Sequence, residues 1–506
     1  MNLQNKIDNI FSPVPAEFTK YLPCEKGAYF LLDGKIQKAS SSQSVISCIY
    51  ENEKPLVLGE TAWMTEEECI LALNAASTSF EKGTWSHATI FERIEKTEDF
   101  VSKMREVKNE VAILEMLEIG KSKKDCEKEF DRTIEYILQT TNAMKKMPKN
   151  ICEGIIKATL DYKPHGVVLC LGPYNYPLNE AFTTLIPALA MGNSVIAKAP
   201  RYGMLCTTPL YSAFAQTFPK GTINFINGDG KTIITPLMKG GKIDAFSFIG
   251  GSTAYETILK NHPHVGKLKL NAGLEAKNSA IIFQDASLKE CVNEILLGAL
   301  SFNGQRCTAI KRIYVPKKRA EEFVTLFTEK VTNLSIGMPW ENPDITPMPH
   351  ESITTFLKSL VEDAILKGAH ITNEEGSRIQ KSYFHPAVLY PVTKDMRIFY
   401  EEQFGPIVPI VSYDNPIEPI NDIIKDRYGQ QVSVFTNDSR NIEHVVQRLQ
   451  NSVSRININT QCMRGPDSFP FTGRKDSAVG SLSITDALQF FSQPFLISSK
   501  IEKEKT

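Results

Sequence analysis

"GVVLCL" (166–171) and "NSVIAK" (193–198) are short apolar runs, and helix-like stretches separate such runs along the chain. Three more runs follow, "TINFI" (222–226), "AFSFI" (245–249) and "KLKLN" (267–271). Continuous apolar strands that alternate with helices are typical of a parallel sheet covered on both faces. The pattern therefore predicts an α/β fold.

A second series of the same kind begins after Lys277. It contains "SAIIF" (279–283), "KRIYV" (311–315) and amphipathic stretches near 318–333 and 353–367. Two αβ units in tandem are therefore predicted, with the break near Lys277.

Composition narrows the class of partner. The 506 residues include 57 Lys and Arg against 58 Asp and Glu, so no global charge attracts nucleic acid or an anionic membrane. No apolar run approaches the roughly 20 residues of a membrane span, and the first residues lack the apolar stretch of a secretory signal. We expect a cytoplasmic protein whose partners are small molecules or further copies of itself.

The ten cysteines are scattered singly, without the spacing of a disulfide framework or a metal site, so no metal is predicted. Cys307, in "SFNGQRCTAIKR" (301–312), has a special setting among Gly304, Gln305 and Arg306. A neighbouring arginine lowers the pKa of a thiol and favours the nucleophilic thiolate. The sequence therefore predicts a reactive Cys307.

Six blocks along nearly the whole chain resemble the aldehyde dehydrogenase superfamily in order and approximate spacing. They are "PYNYPLN" (173–179), "GNSVIAKAP" (192–200), "FIGGST" (248–253), "FNGQRC" (302–307), "EEQFGP" (401–406) and "FPFTGRKDSAVG" (469–480). The resemblance implies two doubly wound parallel-sheet αβ domains and a small β element for oligomerisation. It also implies an NAD(P)-dependent enzyme that oxidises aldehydes.

The domain boundaries expected from the resemblance are as follows. A Rossmann-like NAD(P)-binding domain covers 1–150 and 167–277, and a catalytic domain covers 278–482. The oligomerisation element covers 151–166 and 483–506. The resemblance also implies assembly as a homodimer or homotetramer through this element, and exposed strand edges favour such pairing.

The same resemblance assigns the catalytic residues. Cys307 matches the nucleophile that forms a thiohemiacetal and, after hydride transfer, a thioester. Asn175 matches the asparagine that, with the Cys307 backbone N–H, holds the developing oxygen anion.

The resemblance also assigns the cofactor-binding residues. Lys198 matches the lysine at the adenosine ribose, Glu402 the carboxylate at the nicotinamide ribose, and Phe404 the ring beside it. Gly250 lies where the family lets the cofactor approach the backbone. Arg201 can pair with a 2′-phosphate, so NADP is predicted as cofactor, with NAD as the other candidate.

Within the superfamily, "FNGQRCTAIKR" and "RGPDSFPF" (464–471) look most like the non-phosphorylating, NADP-dependent glyceraldehyde-3-phosphate dehydrogenases. The likeness implies a phosphorylated aldehyde bound by Arg132, Tyr176, Arg306 and Arg464, since arginine suits phosphate. Relatives that use semialdehydes also carry "GQRC", so Arg306 alone does not select the substrate.

One block departs from the family. Where the family has Glu-Leu-Gly-Gly-Lys, this chain has "GLEAK" (273–277), with Gly273 at the position of the general base. In an extended segment, Glu275 shares a face with Gly273 and can serve as a displaced base. Two alternatives stay open, a dehydrogenase that transfers the acyl group to coenzyme A and a catalytically silent protein of the same fold.

Overall fold

Five parallel strands form the centre of an eight-stranded sheet in the computed structural model, which describes residues 2–147 and 149–500. In chain order they are Val167–Leu171, Ser194–Lys198, Ile223–Ile226, Ala245–Ile249 and Lys269–Gly273. Their order across the sheet is third, second, first, fourth, fifth, which is the doubly wound arrangement. Antiparallel strands complete the edges: Tyr29–Leu32 and Lys35–Lys38 on one side, Ala478–Val479 on the other.

Helices cover both faces of this sheet, and strand Val167–Leu171 is buried throughout. Val168 and Cys170 pack in one core with Phe182, whereas Leu169 packs in a second core with Ala72. Successive side chains of a strand point to opposite faces, so a strand covered on both sides is apolar at every position. This burial explains the continuous apolar runs in the sequence.

The second sheet has seven strands, six of them parallel. Across the sheet they are His370–Ile371, Ala387–Tyr390, Ile407–Tyr413, Arg312–Pro316, Ser279–Ile282, Gln431–Phe435 and Arg455–Ile458. The first sheet's parallel strands end at Gly273 and the second sheet's begin at Ser279, on either side of Lys277. Two parallel sheets in tandem confirm the predicted α/β class.

A third sheet pairs Ser492–Lys500 with Ile156–Pro164, and the latter with Lys149–Glu153. Its side chains are largely exposed, among them Cys152 and Leu496. Three two-stranded ribbons complete the strands: Ser42–Glu51 with Lys54–Ala62, Ile379–Gln380 with Tyr383–Phe384, and Tyr428–Gly429 with Arg474–Lys475.

The described residues contain helices of both α and 3₁₀ type. The α-helices are Leu3–Asp8, Ala16–Thr19, Glu66–Lys82, Ile90–Glu106, Lys108–Ile119, Lys123–Met144, Asn179–Ala190, Tyr211–Thr217, Gly230–Lys239, Ser252–Leu259, Leu288–Leu300, Ala320–Thr332, Glu351–Leu366, Arg397–Tyr400, Ile417–Lys425, Ser439–Leu449 and Ile484–Phe490. The 3₁₀ turns are Glu25–Ala28, Leu205–Leu210, Ser301–Gly304, Lys317–Arg319 and Pro339–Glu341. Within residues 2–147 and 149–500, none of the helices has the length and apolarity needed to cross a membrane.

Candidate active site

A tight turn carries the chain from helix Leu288–Leu300 to Cys307. Phe302, Asn303 and Gly304 in this turn all have positive φ angles, of 49°, 55° and 70°. The Asn303 side chain fixes the turn, because it donates to the Thr346 carbonyl and accepts from the Thr346 N–H. At Gly304 a Cβ would lie only 2.7 Å from the Ala299 carbonyl oxygen, so this position requires glycine.

The Cys307 carbonyl is held by two buried side chains. Lys311 Nζ donates to it at 2.9 Å and Asn278 Nδ2 at 2.8 Å. Lys311 also forms a buried ion pair of 3.0 Å with Glu402. The nucleophile's backbone is therefore tied to Glu402, one of the predicted cofactor residues.

The thiol itself is half-buried, and burial raises the pKa of Cys307 to about 11. The Glu180 carboxylate raises it further, while Lys311 and Arg464 lower it. Arg306, which was expected to lower this pKa, directs its guanidinium to the carbonyls of Leu297 and Gly298. The neutral thiol is thus favoured at neutral pH, and a charge or a base must activate it.

Asn175 lines the same cavity as Cys307 and is buried. Its side-chain Nδ2 donates to the Gln305 carbonyl at 2.7 Å, and its backbone carbonyl accepts from Lys121 Nζ at 3.1 Å. The structure therefore brings the predicted nucleophile and the predicted oxyanion residue to one cavity.

Behind Asn175 lies a buried ion cluster, which sequence reasoning missed. Lys121 pairs with Glu115 at 3.0 Å and with Glu129, and all three side chains are buried. Glu129 also accepts the backbone N–H groups of Leu178 and Asn179. The cluster thus fixes the loop that carries Asn175 and the start of the following helix.

The Cys307 cavity has a volume of about 490 Å³ and includes Gly250, Gly273 and Phe404 in its lining. Three carboxylates, Glu180, Glu275 and Glu402, also line it. Glu402 accepts from the Ala276 N–H at 3.0 Å in addition to its Lys311 pair. Burial raises the pKa of Glu402.

The Glu275 side chain contacts the N-terminus of helix Ser252–Leu259. Its Oε2 accepts the Ser252 N–H at 2.9 Å and also the Ser252 hydroxyl. A carboxylate is stabilised at a helix N-terminus by the unpaired N–H groups and the helix dipole. Glu275 therefore reaches the cavity wall, as expected from its spacing to Gly273, but its charge is held by the helix.

Two of the predicted phosphate ligands meet beyond Cys307. Arg132 pairs with Asp467 through two hydrogen bonds of 2.7 and 3.1 Å. Arg464 is buried, pairs with Glu180, and has its Nε 3.5 Å from Asp467. These four residues, called here the charge-paired cluster, balance two guanidinium groups with two carboxylates.

The other two predicted phosphate ligands have different contacts. Tyr176 lies beneath Lys121, whose Nζ is 3.7 Å from the ring centroid. Arg306 donates to backbone carbonyls, as described, and like Arg132, Tyr176 and Arg464 it is not among the residues that line the Cys307 cavity. Sequence reasoning missed Glu180, although a glutamate directly before the largely apolar run "AFTTLIPALA" (181–190) was a usable signal.

A second cavity, of about 460 Å³, contains Lys198 and Arg201. Lys198 Nζ donates to the Ala199 carbonyl at 3.0 Å, and burial lowers the pKa of Lys198 to about 8. The Arg201 guanidinium lies 5.6 Å from the Tyr202 ring centroid and is exposed. Neither cation forms an ion pair with a described carboxylate.

Glu118 also lines this second cavity. It is fully buried and accepts the backbone N–H groups of Gly203, Met204 and Leu205 at 2.7 to 3.0 Å. Burial raises the pKa of Glu118 to about 7. The carboxylate thereby holds the loop that follows Arg201, and sequence reasoning gave no indication of this role.

Comparison with known proteins agrees with this geometry. A model described as "Aldehyde dehydrogenase family" matches residues 38–496. The NADP-dependent glyceraldehyde-3-phosphate dehydrogenase of Apium graveolens is 32% identical over 475 residues, 91% of this chain and 93% of that protein.

Solved structures agree as well. The enzyme of the same name from Bacillus halodurans, complexed with NADP, has a TM-score of 0.88 at 30% identity, covering 94% of this chain and 100% of that one. Betaine aldehyde dehydrogenase from Staphylococcus aureus, in complex with NAD⁺, has a TM-score of 0.87 at 25% identity, covering 97% and 98%.

Proposed function

The chain belongs to the aldehyde dehydrogenase family, and from that membership we propose that it oxidises glyceraldehyde 3-phosphate to the carboxylic acid with NADP. The observation that carries the proposal is the pair of guanidinium groups, Arg132 and Arg464, which share Asp467 and which Glu180 connects to the cavity of the nucleophile. A phosphate on the aldehyde can be bound there by bidentate hydrogen bonds. Betaine aldehyde, the substrate named for one structural neighbour, carries a cation and has no use for such a pair.

Cys307 attacks the aldehyde carbon in the proposed mechanism. The developing oxygen anion lies toward Asn175 and the backbone around Cys307, which the Lys121 cluster holds in place. Such fixed donors lower a barrier by about 3 kcal/mol each. Loss of hydride from the thiohemiacetal leaves a thioester on Cys307.

Two cavities support the binding of nicotinamide adenine dinucleotide phosphate. Lys198 and Arg201 offer unpaired cations in one cavity, and Glu402, Phe404 and Gly250 line the other. We propose that Arg201 and Lys198 bind the 2′-phosphate and ribose, and that Glu402 and Phe404 hold the nicotinamide end. Bound NADP supplies the hydride acceptor.

Water is the proposed acceptor of the acyl group, activated by a carboxylate of the Cys307 cavity, of which Glu275 is the one predicted from the sequence. Gly273, which offers no side chain at the family's position for this base, favours coenzyme A as the alternative acceptor. The alternative function is a CoA-acylating semialdehyde dehydrogenase.

We also propose a homodimer or homotetramer in the cytoplasm. The support is the exposed third sheet, whose strand Ser492–Lys500 presents Phe495, Leu496 and Ile497 to solvent. Apolar side chains on an open strand edge favour pairing with another copy. Ten free cysteines suit a reducing compartment.

Stopped-flow absorbance at 340 nm tests the proposal. Glyceraldehyde 3-phosphate and NADP should give a burst of one NADPH per Cys307, followed by steady turnover in water. Unphosphorylated glyceraldehyde, at equal concentration, is the matched control and should react far more slowly. A burst that stalls until CoA is added would instead establish the acylating function, and no NADPH with any aldehyde would refute both.

A further inference from the structure

Three carboxylates line the Cys307 cavity, and their partners differ. Glu402 is held by Lys311 and the Ala276 N–H, and Glu275 by the N–H and hydroxyl of Ser252. Backbone N–H groups fix both, and bound cofactor does not remove these donors. Both carboxylates therefore keep their hydrogen-bond donors when a ligand binds in the cavity.

Glu180 is held differently. It lies in the first turn of helix Asn179–Ala190, five residues after Asn175, and its N–H donates to the Tyr176 carbonyl at 3.2 Å. Within the described part of the chain, its carboxylate pairs only with the side chain of Arg464, through Oε2. A ligand that takes Arg464 away therefore frees this carboxylate.

The position of Glu180 suits a role in the chemistry. It lines the cavity that Cys307 and Asn175 share and is only 6% exposed. Among the charged groups that raise the pKa of the Cys307 thiol, the Glu180 carboxylate has the largest effect.

Arg464 has spare capacity for a ligand. Its Nη2 is buried and has no hydrogen-bond partner among the described residues, while Nη1 and Nε face Glu180 and Asp467. A phosphate entering beside it can accept from the free Nη2 and then compete with Glu180 for Nη1. Substrate binding and release of the Glu180 carboxylate are thereby linked.

We infer that Glu180 is the general base of the hydrolytic step, restrained by Arg464 until the substrate's phosphate engages that guanidinium. The inference rests on the proposed oxidation of a phosphorylated aldehyde. Glu180 takes a proton from water as the water oxygen bonds to the thioester carbon. The carbon–sulfur bond then breaks, its electron pair stays on Cys307 as the thiolate, and the acid leaves. Glu180 returns its proton to solvent, and no electron is transferred to or from an outside group.

Glu180→Gln tests the inference directly, since glutamine keeps the size and an acceptor for Arg464. The NADPH burst should be preserved, steady turnover should fall by ~10²-fold or more, and the acyl-enzyme should accumulate in intact mass spectra. Glu256→Gln, on an exposed helical face, is the matched control and should behave like the parent. Glu275→Gln should lower turnover by a smaller factor than Glu180→Gln.

Three results would overturn the assignment to Glu180. They are parental turnover in Glu180→Gln, a larger loss in Glu275→Gln, or loss of the burst together with turnover, which would assign Glu180 to holding Arg464 only. An absent burst in the parent would refute the proposed function itself, so the two failures are distinguishable.

Adding inorganic phosphate provides a second test, which measures a gain in steady turnover instead of a loss. With unphosphorylated glyceraldehyde, the ion pair between Arg464 and Glu180 should stay intact. Glu180 then cannot activate water, so steady turnover should be slow relative to the burst. Millimolar phosphate should raise that turnover several-fold in the parent and leave Glu180→Gln unchanged. Equal effects of phosphate on both proteins, or no effect on the parent, would contradict the link between Arg464 and Glu180.

Discussion

The charge-paired cluster and the Lys198 cavity are both proposed to bind a phosphate, yet they prepare for it in opposite ways. In the cluster, Arg132 and Arg464 are already neutralised by Asp467 and Glu180. In the cavity, Lys198 and Arg201 have no carboxylate partner among the described residues. An incoming phosphate must therefore exchange with carboxylates in the first region, whereas it meets unpaired cations in the second. The first arrangement suits a ligand whose binding triggers a rearrangement, and the second suits one that is simply held.

The largest effect should come from Cys307→Ser, which removes the chemistry and leaves both regions intact. Oxidation should fall by more than ~10³-fold, because a hydroxyl without a base is a far weaker nucleophile than a thiolate. The affinity for NADP, measured by fluorescence titration, should stay within a factor of two of the parent's. Persisting dehydrogenase activity would remove Cys307 from the site.

Arg201→Glu tests the Lys198 cavity, whose two cations have no carboxylate partner among the described residues. It replaces a phosphate partner by a repelling charge, so kcat/KM with NADP should fall by ~10²-fold while the value with NAD changes little. Steady-state kinetics with both cofactors measures the ratio. Lys239→Glu, at the far end of helix Gly230–Lys239 and outside the cavity lining, repeats the charge reversal on an exposed side chain and serves as control. An unchanged ratio in Arg201→Glu would show that the guanidinium points away from the 2′-phosphate.

Arg464→Lys is a milder substitution, and it tests the charge-paired cluster. Lysine keeps the charge that balances Glu180 but loses the planar fork, so kcat/KM for glyceraldehyde 3-phosphate should fall by ~10-fold. The value for unphosphorylated glyceraldehyde should stay within a factor of two. A uniform fall for both aldehydes would assign Arg464 to packing rather than to phosphate recognition.

The smallest effect concerns pH. Burial lowers the pKa of Lys198 to about 8, so Lys198 is charged below that pH and neutral above it. The dissociation constant for NADP should therefore rise a few-fold between pH 7 and pH 9, as the cation is lost. Titrations at constant ionic strength measure this slope, and Lys198→Met should flatten it. An equal slope in the variant would assign the pH dependence to another group.

Much of the fold could be predicted because it depends on local pattern. Strand Val167–Leu171 is apolar at every position, which identifies a parallel strand covered on both faces. The ends of elements were less predictable: "KLKLN" (267–271) forms a strand over Lys269–Gly273, since backbone pairing with Ala245–Ile249 sets its limits.

The candidate site was predictable only where motifs carried it. Glu180 and Arg464 are 284 residues apart, and nothing in either segment indicates the other. Lys121 and Glu129 likewise lie in a charge-rich part of the sequence, yet both are buried against the Asn175 loop. Arg306 illustrates the converse, because adjacency to Cys307 in sequence does not determine where its guanidinium points.

The accessibility of the thiols has a practical consequence for handling the protein. Eight of the ten cysteines are buried, Cys152 is exposed on the third sheet, and Cys307 is half-buried in the cavity. An alkylating dye should therefore mark two sites that report on separate events. Protection of Cys307 by NADP reports cofactor occupancy, and slow labelling of Cys152 reports coverage of the Lys149–Glu153 edge of the third sheet by another copy. Peptide mapping of one labelled sample thus follows loading and assembly together, without any mutation.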